Sequence, residues 1–181
     1  MLQLAFVSQA AWGVCFSQEW LWTSAVIITG VTASVLRAHH IMAFELRSPS
    51  WVEYGVLVHP LAMHGAWLCA STLANWHVVA SAEEGDPTTP RLWWLAHASR
   101  FVAAGVCAGL AVRYRDPTFA LVGAWALSAI AQFDAPEVIT RGCAESDLER
   151  LSSTARRLST GLAMLGVGVA HRGNRPAWLF P

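Results

Sequence analysis

The chain has 181 residues, of which 55% are hydrophobic and 13% charged, and its formal net charge is zero. A water-soluble domain carries about a quarter charged residues, so this composition excludes an ordinary soluble globule and indicates an all-α integral membrane protein. With no net charge there is no basic field to attract nucleic acid, and no nucleic-acid partner is expected.

Ten tryptophans sharpen the reading. Indole favours places where one end is apolar and the N–H finds a partner, such as bilayer interfaces and ligand walls. In chain order, the first apolar run spans 2–16 and stops at Ser17-Gln18-Glu19. It has no basic n-region, so no cleavable signal is expected. The second run, 20–36, ends where Arg37, His39 and His40 read as a solvated cap at the membrane surface. Pro49 and the charges Glu45, Arg47 and Glu53 then predict an interfacial elbow. The third run, 52–80, is the longest; at a helical rise it reaches ~40 Å, enough to cross a ~30 Å hydrocarbon core with tilt. SAEEGDPTTPR, 81–91, predicts an exposed acidic loop in which Glu83, Glu84 and Asp86 are solvated. Trp93 and Trp94 open a fourth run, 92–112, at an aromatic-belt position. YRDP predicts a tight turn, with Asp116 as helix cap and Pro117 in the first turn of a fifth helix, 117–132.

Beyond that point the character changes. Residues 134–157 are charged and amphipathic, and the last apolar piece, 158–170, is short for a span. The predicted organisation is therefore a bundle of about five transmembrane helices over 1–133. An amphipathic or interfacial segment follows over 134–181, with room for a sixth short helix. Arg37, Arg47, Arg113 and Arg115 fall in connections on one side, which the positive-inside rule places on the cytoplasm-equivalent face.

Three stretches resemble a known family. LQLAFVSQAAWGVCFSQEWLWTSAVIITGVTASVLR (2–37) is similar to a Trp-centred helix, its F-Q-E-W turn and the following helix. HPLAMHGAWLCASTLANWHVV (59–79) fits a Pro-Trp-Thr-Asn spacing at Pro60, Trp67, Thr72 and Asn75. RYRDPTFALVGAWALSAIA (113–131) resembles a basic turn followed by a helix bearing Trp125-Ala126-Leu127. Together they resemble the tryptophan-rich sensory protein, or translocator, family, in its longer bacterial and algal branch. The family pattern has a further helix ahead of the first one here, an aromatic where His64 stands and an Asn where Ala5 stands. The resemblance implies a non-enzymatic protein that cradles an apolar or tetrapyrrole-like ligand: a porphyrin or haem, a chlorophyll-type pigment, a carotenoid, or a sterol or other lipid. Trp12, Trp67 and Trp125 would supply its walls. It also implies an organellar membrane (thylakoid or mitochondrial) or a bacterial inner membrane.

On the third helix, Pro60, His64, Trp67, Ser71 and Asn75 share one face; at ~100° per residue His64 and Asn75 point within roughly 20° of each other. Polar side chains in a spanning helix face the bundle or a cavity, so this stripe either pins neighbouring helices or lines a ligand site. His59 and His77 share the opposite face. Neutral imidazole can ligate a haem iron or a chlorophyll magnesium, so His59, His64 and His77 are candidate axial ligands, although His59 and His77 also lie near helix ends within reach of water. His97 and Arg100 are one turn apart on the fourth helix, where Arg100 snorkels, pairs with another helix, or meets an anionic ligand. Cys15, Cys69, Cys107 and Cys143 have no CxxC spacing and read as small buried hydrophobes. No nucleophile elbow, HExxH or phosphate loop occurs, and neither catalysis nor a dedicated metal site is expected. A second reading remains open: an accessory subunit of a photosystem or respiratory supercomplex. Gly105, Gly109, Gly161, Gly166 and Gly168 would then allow neighbouring subunits to dock closely.

Overall fold

A computed structural model describes residues 2–46, 50–86, 89–132 and 144–171. Those residues form helices, and no strand occurs among them. The helices are α1 (Leu2–Ser17), α2 (Leu21–Glu45), α3 (Tyr54–Glu84), α4 (Pro90–Tyr114), α5 (Pro117–Gln132) and α6 (Glu145–His171). Three of them, α2, α3 and α4, are long and apolar enough to cross a membrane; α1 and α5 are shorter apolar helices. At 16 residues each, these two measure ~24 Å against a ~30 Å core.

The breaks between helices have local causes. Glu19 takes a left-handed φ of 60° and the Trp20 N–H returns to the Cys15 carbonyl, which closes α1 and starts α2. Helix α3 is entered through a single turn, Trp51–Glu53, held by a reciprocal cap. The Ser50 N–H donates to Glu53 Oε2 at 2.7 Å and the Glu53 N–H to Ser50 Oγ at 3.2 Å. These bonds to the charged carboxylate hold the Glu53 pKa below its ordinary value. The next five residues, Tyr54–Val58, form a π-helical turn in which the His59 N–H reaches the Tyr54 carbonyl. Pro60 explains it. Its ring has no N–H and crowds the carbonyl four residues back, so the regular ladder cannot run through this point. The helix ends at Gly85, whose φ of 69° suits glycine. At the α4–α5 turn Arg115 has φ 52°, and Asp116 Oδ1 accepts the Thr118 N–H at 2.9 Å, the cap the sequence implies.

Several boundaries differ from the sequence reading. No glycine or proline interrupts 37–45, so α2 continues to Glu45 and carries Arg37, His39 and His40 within it. His39 is no solvated cap: it is 1% exposed, wedged edge-on between Tyr114 and Phe119 with ring centroids 4.7 and 5.0 Å away. His40 shares Nδ1 with the Tyr114 hydroxyl at 3.0 Å. The acidic loop is also shorter than predicted, because Ser81–Glu84 are helical. Glu84 pairs with Arg91 at 2.6 Å, and Glu83 accepts the Trp22 indole N–H at 3.1 Å, so neither is merely solvated. The short apolar piece 158–170 is the end of a 27-residue helix, α6, starting at Glu145. Residues 133–143 and 172–181, the elbow residues 47–49, and Cys143 lie outside the described residues.

Small side chains line the contacts between helices. One core joins Ala62 and Ala66 of α3, Ala104, Cys107 and Ala111 of α4, Phe119, Ala120, Ala124 and Leu127 of α5, and Leu162 of α6. A second joins Ala5 of α1, Ile28, Val31 and Val35 of α2, and Leu68 of α3. Large side chains occur on both sides: Phe119, Ile28 and Leu68 are fully buried, whereas Trp22, Trp94 and Trp125 are exposed. In hydrocarbon solvent no water drives large side chains inward, and small residues at helix contacts allow the close backbone approach that gives dispersion contacts. Helix α6 runs antiparallel along α5. Ser152 Oγ donates to the Ala131 carbonyl and Ser159 Oγ to the Ala124 carbonyl, both at 2.8 Å. Gly166 seats Leu121 of α5, so it serves this contact and not a neighbouring subunit; a Cβ added there would lie 2.9 Å from Leu121 Cδ2. Cys15, Cys69 and Cys107 are buried free thiols, as the spacing predicts.

Candidate functional site

Along the contact of helices α3 and α5 runs an open groove of about 740 Å³, lined by Pro60, Met63, His64, Trp67, Leu121, Val122 and Trp125. Its walls are two indoles. Trp67 and Trp125 lie with ring centroids 5.3 Å apart and planes inclined at 43°, and they are 45% and 62% exposed. His64 stands at the α1 side, edge-on to Phe6 with centroids 6.3 Å apart. Its Nε2 is buried and meets no hydrogen-bond partner among the described residues. A polar atom left in that state costs about 1–3 kcal/mol, which a ligand donor, acceptor or metal would recover.

The sequence-predicted stripe therefore divides. Pro60, His64, Trp67 and Trp125 come together in the groove. Asn75 does not join them: it is 7% exposed, and its Oδ1 accepts the Trp12 indole N–H at 3.1 Å while its Nδ2 donates to the Ser71 carbonyl at 2.9 Å. Trp12, Ser71 and Asn75 thus tie α1 to α3, and Trp12 is not a third wall. The groove residues the sequence reading missed are Met63, Leu121 and Val122. Leu121 lies one turn before Trp125, which is the signal that could have placed it, but an apolar residue facing a groove looks the same as one facing lipid.

The candidate axial histidines also separate. His59 Nδ1 is bonded to Thr118 Oγ1 at 3.1 Å and the ring leans on Tyr54, so it joins α3 to α5. His77 borders different cavities, beside Ser99 and Arg100. Of the three, only His64 lines the indole-walled groove, and its Nε2 is buried against the protein. No group of three or more His, Cys, Asp or Glu capable of holding a bare metal ion occurs among the described residues.

The connections at one end of the bundle, α2 to α3 and α4 to α5, are held side by side through His40–Tyr114 and His59–Thr118. At the opposite end Trp22–Glu83 and Glu84–Arg91 close the bundle. The helices accordingly alternate in direction.

No curated protein and no solved structure matches the chain. The family described as TSPO-like protein matches residues 1–144, a stretch containing α1 to α5. With that match over well more than half its length, its helical bundle and its membrane-spanning helices, this chain is an integral membrane protein belonging to the TSPO-like protein family.

Proposed function

We propose that this is a non-enzymatic, translocator-like membrane protein that takes a flat apolar ligand of tetrapyrrole type in the α3–α5 groove. The observation that carries the reading is the Trp67–Trp125 pair, with the unpartnered His64 nitrogen beside it. Two exposed indole faces offer stacking surface worth ~0.5–1.5 kcal/mol per ring pair beyond area burial. Neutral imidazole supplies either a hydrogen bond or an axial donor. The groove's size, about 740 Å³, falls within the ~300–1,000 Å³ typical of small-molecule sites.

The test is a Soret-band titration of the purified protein in detergent with a zinc porphyrin. Trp125→Ala and His64→Leu are expected to weaken binding about tenfold each, since ~1.4 kcal/mol is a factor of ten. Asn75→Leu, which alters the α1–α3 tie, is expected to bind normally. Unchanged affinity in both groove variants would refute the assignment.

A second reading has its own observation. The outer face of α4 carries exposed Phe101, Val102, Val106 and Val112, and a Cβ added at Gly105 or Gly109 would meet nothing within 4 Å. Such a face suits a neighbouring helix in a larger membrane assembly. Gentle extraction from native membranes followed by size exclusion separates the two: a large peak containing other subunits supports the accessory role, and a small peak of this chain alone opposes it.

A further inference from the structure

A second cavity system sits on the other side of α3, against α4. Its inner part, about 180 Å³, is bordered by His77, Ser99 and Arg100 with an apolar floor of Leu127 and Ile130. Its outer part, about 410 Å³, shares Leu73, His77 and Ser99 and extends along Trp76, Leu95 and Val102. Neither part includes a residue of the Trp67–Trp125 groove.

The polar groups here are incompletely matched. Arg100 lies ten residues into α4, about 15 Å from the helix start at 1.5 Å per residue and inside a helix apolar enough to span a membrane. Its Nη1 donates to the Ala96 carbonyl at 2.7 Å, but its Nε is buried without a partner. Neither ion pair among the described residues, Arg91–Glu84 or Arg150–Asp147, includes it. His77 Nδ1 is likewise buried and unpartnered. Among the described residues no carboxylate pairs with this guanidinium, and an unpaired charge inside a membrane bundle is costly, so the site favours an anion.

We propose that this cavity binds an amphiphile with a singly charged carboxylate head: the head against Arg100, His77 and Ser99, the apolar chain along the outer arm. One guanidinium beside a neutral imidazole matches one negative charge, and its planar fork of donors suits the two oxygens of a carboxylate. A phospholipid head would bring glycerol ester groups against Ala70, Ala74 and Ala103, side chains that offer them no hydrogen bond. The outer arm is walled chiefly by apolar side chains, as an aliphatic chain requires; its charged members are Glu83, bonded to Trp22, and Arg91, already paired with Glu84.

The probe is cis-parinaric acid, a fluorescent fatty acid, added to the purified protein in phosphatidylcholine nanodiscs and read by energy transfer from tryptophan. The acid is expected to bind at least tenfold more tightly than its methyl ester. Arg100→Gln is expected to abolish that preference, Arg100→Lys to retain most of it, and Ile130→Trp, which fills the inner cavity while leaving Arg100 in place, to lose both ligands. Thermal melting of each variant identifies any that fails to fold. The proposal is overturned if acid and ester bind alike to the native protein, if folded Arg100→Gln keeps the preference, or if phosphatidylglycerol displaces the probe as well as oleate does.

Discussion

Gly123 tests the packing on which both cavities depend. It lies where α5 crosses α4, and a Cβ added there would come within 2.8 Å of both Cβ and Sγ of Cys107 and 3.2 Å of Leu162 Cδ1. Ordinary carbon contacts sit near ~3.5–4.0 Å, so Gly123→Ala requires α4 and α5 to separate by roughly 0.7 Å or more. Leu162 can rotate away, but the Cys107 Cβ is fixed to its backbone. Overpacking of this kind costs about 1–3 kcal/mol, or ~2–12 °C in melting temperature for a chain of this size. Removing the opposing Cβ supplies the control. Cys107→Gly alone loses helix propensity and a buried contact, so it is destabilising by ~1 kcal/mol or more. Combined with Gly123→Ala it exchanges the Cβ across the interface, and the double variant is expected to be more stable than the sum of the singles by about 1 kcal/mol or more. Tryptophan-fluorescence melting in detergent measures all four proteins. A Gly123→Ala protein as stable as the native one, or a double variant no better than additive, would refute the close α4–α5 approach.

Three further outcomes follow from individual contacts. Trp12→Phe keeps an aromatic ring but removes the donor to Asn75 together with the pyrrole part of the indole, and is expected to cost at least the ~0.6–1.7 kcal/mol of a hydrogen bond between membrane helices in the same melting assay. Asp116→Ala is expected to cost ~1 kcal/mol through the lost α5 cap while Asp116→Asn keeps it, and hydrogen exchange at the start of α5 reports the difference. At the start of α3 the Glu53 pKa is lowered by its bonds from Ser50. A carboxyl depressed in the folded state stabilises at pH above its ordinary value and loses that effect as pH falls through the lowered one. Protection of the first α3 amides is therefore expected at neutral pH, to fall on acidification, and to become independent of pH in Glu53→Gln, whose amide oxygen still accepts the Ser50 N–H.

Composition and apolar run length made the helical membrane bundle legible, because hydrocarbon leaves the backbone no alternative to satisfying its own hydrogen bonds. The start of helix α5 was readable to the residue, since Asp116-Pro117 is a cap followed by a first-turn proline. What misled was polarity taken as a boundary. Arg37, His39 and His40 look like a membrane edge, yet α2 carries them onward because the α4–α5 turn folds Tyr114 and Phe119 over His39, a contact between residues some 75 positions apart. Helix α6 was cut short for the same reason: its charged first half obscured a continuous 27-residue helix. The Ser50–Glu53 capping box was present in the sequence and passed over, because Pro49 and the surrounding charges read as an elbow.

Helix α3 shows how one face of a membrane helix is divided between folding and binding. Spacing alone put His64 and Asn75 on a common face, and both are polar groups that hydrocarbon penalises. Asn75 has both polar atoms of its amide engaged, Oδ1 by Trp12 and Nδ2 by the Ser71 carbonyl, so it contributes to the fold. Three turns earlier, His64 holds a buried Nε2 without a partner beside two exposed indoles. Its penalty is met by no hydrogen bond among the described residues, and under the proposed function a ligand would relieve it. This makes opposite demands on stability. Asn75→Leu strands the Trp12 N–H and is expected to destabilise the protein by ~1 kcal/mol, whereas His64→Leu removes an unsatisfied group and is expected to leave stability unchanged or raise it by up to ~2 kcal/mol. The porphyrin titration is expected to rank the two the other way round. A His64→Leu protein that melts well below the native one would show that the imidazole holds the bundle together, and the binding assignment for His64 would fall with it.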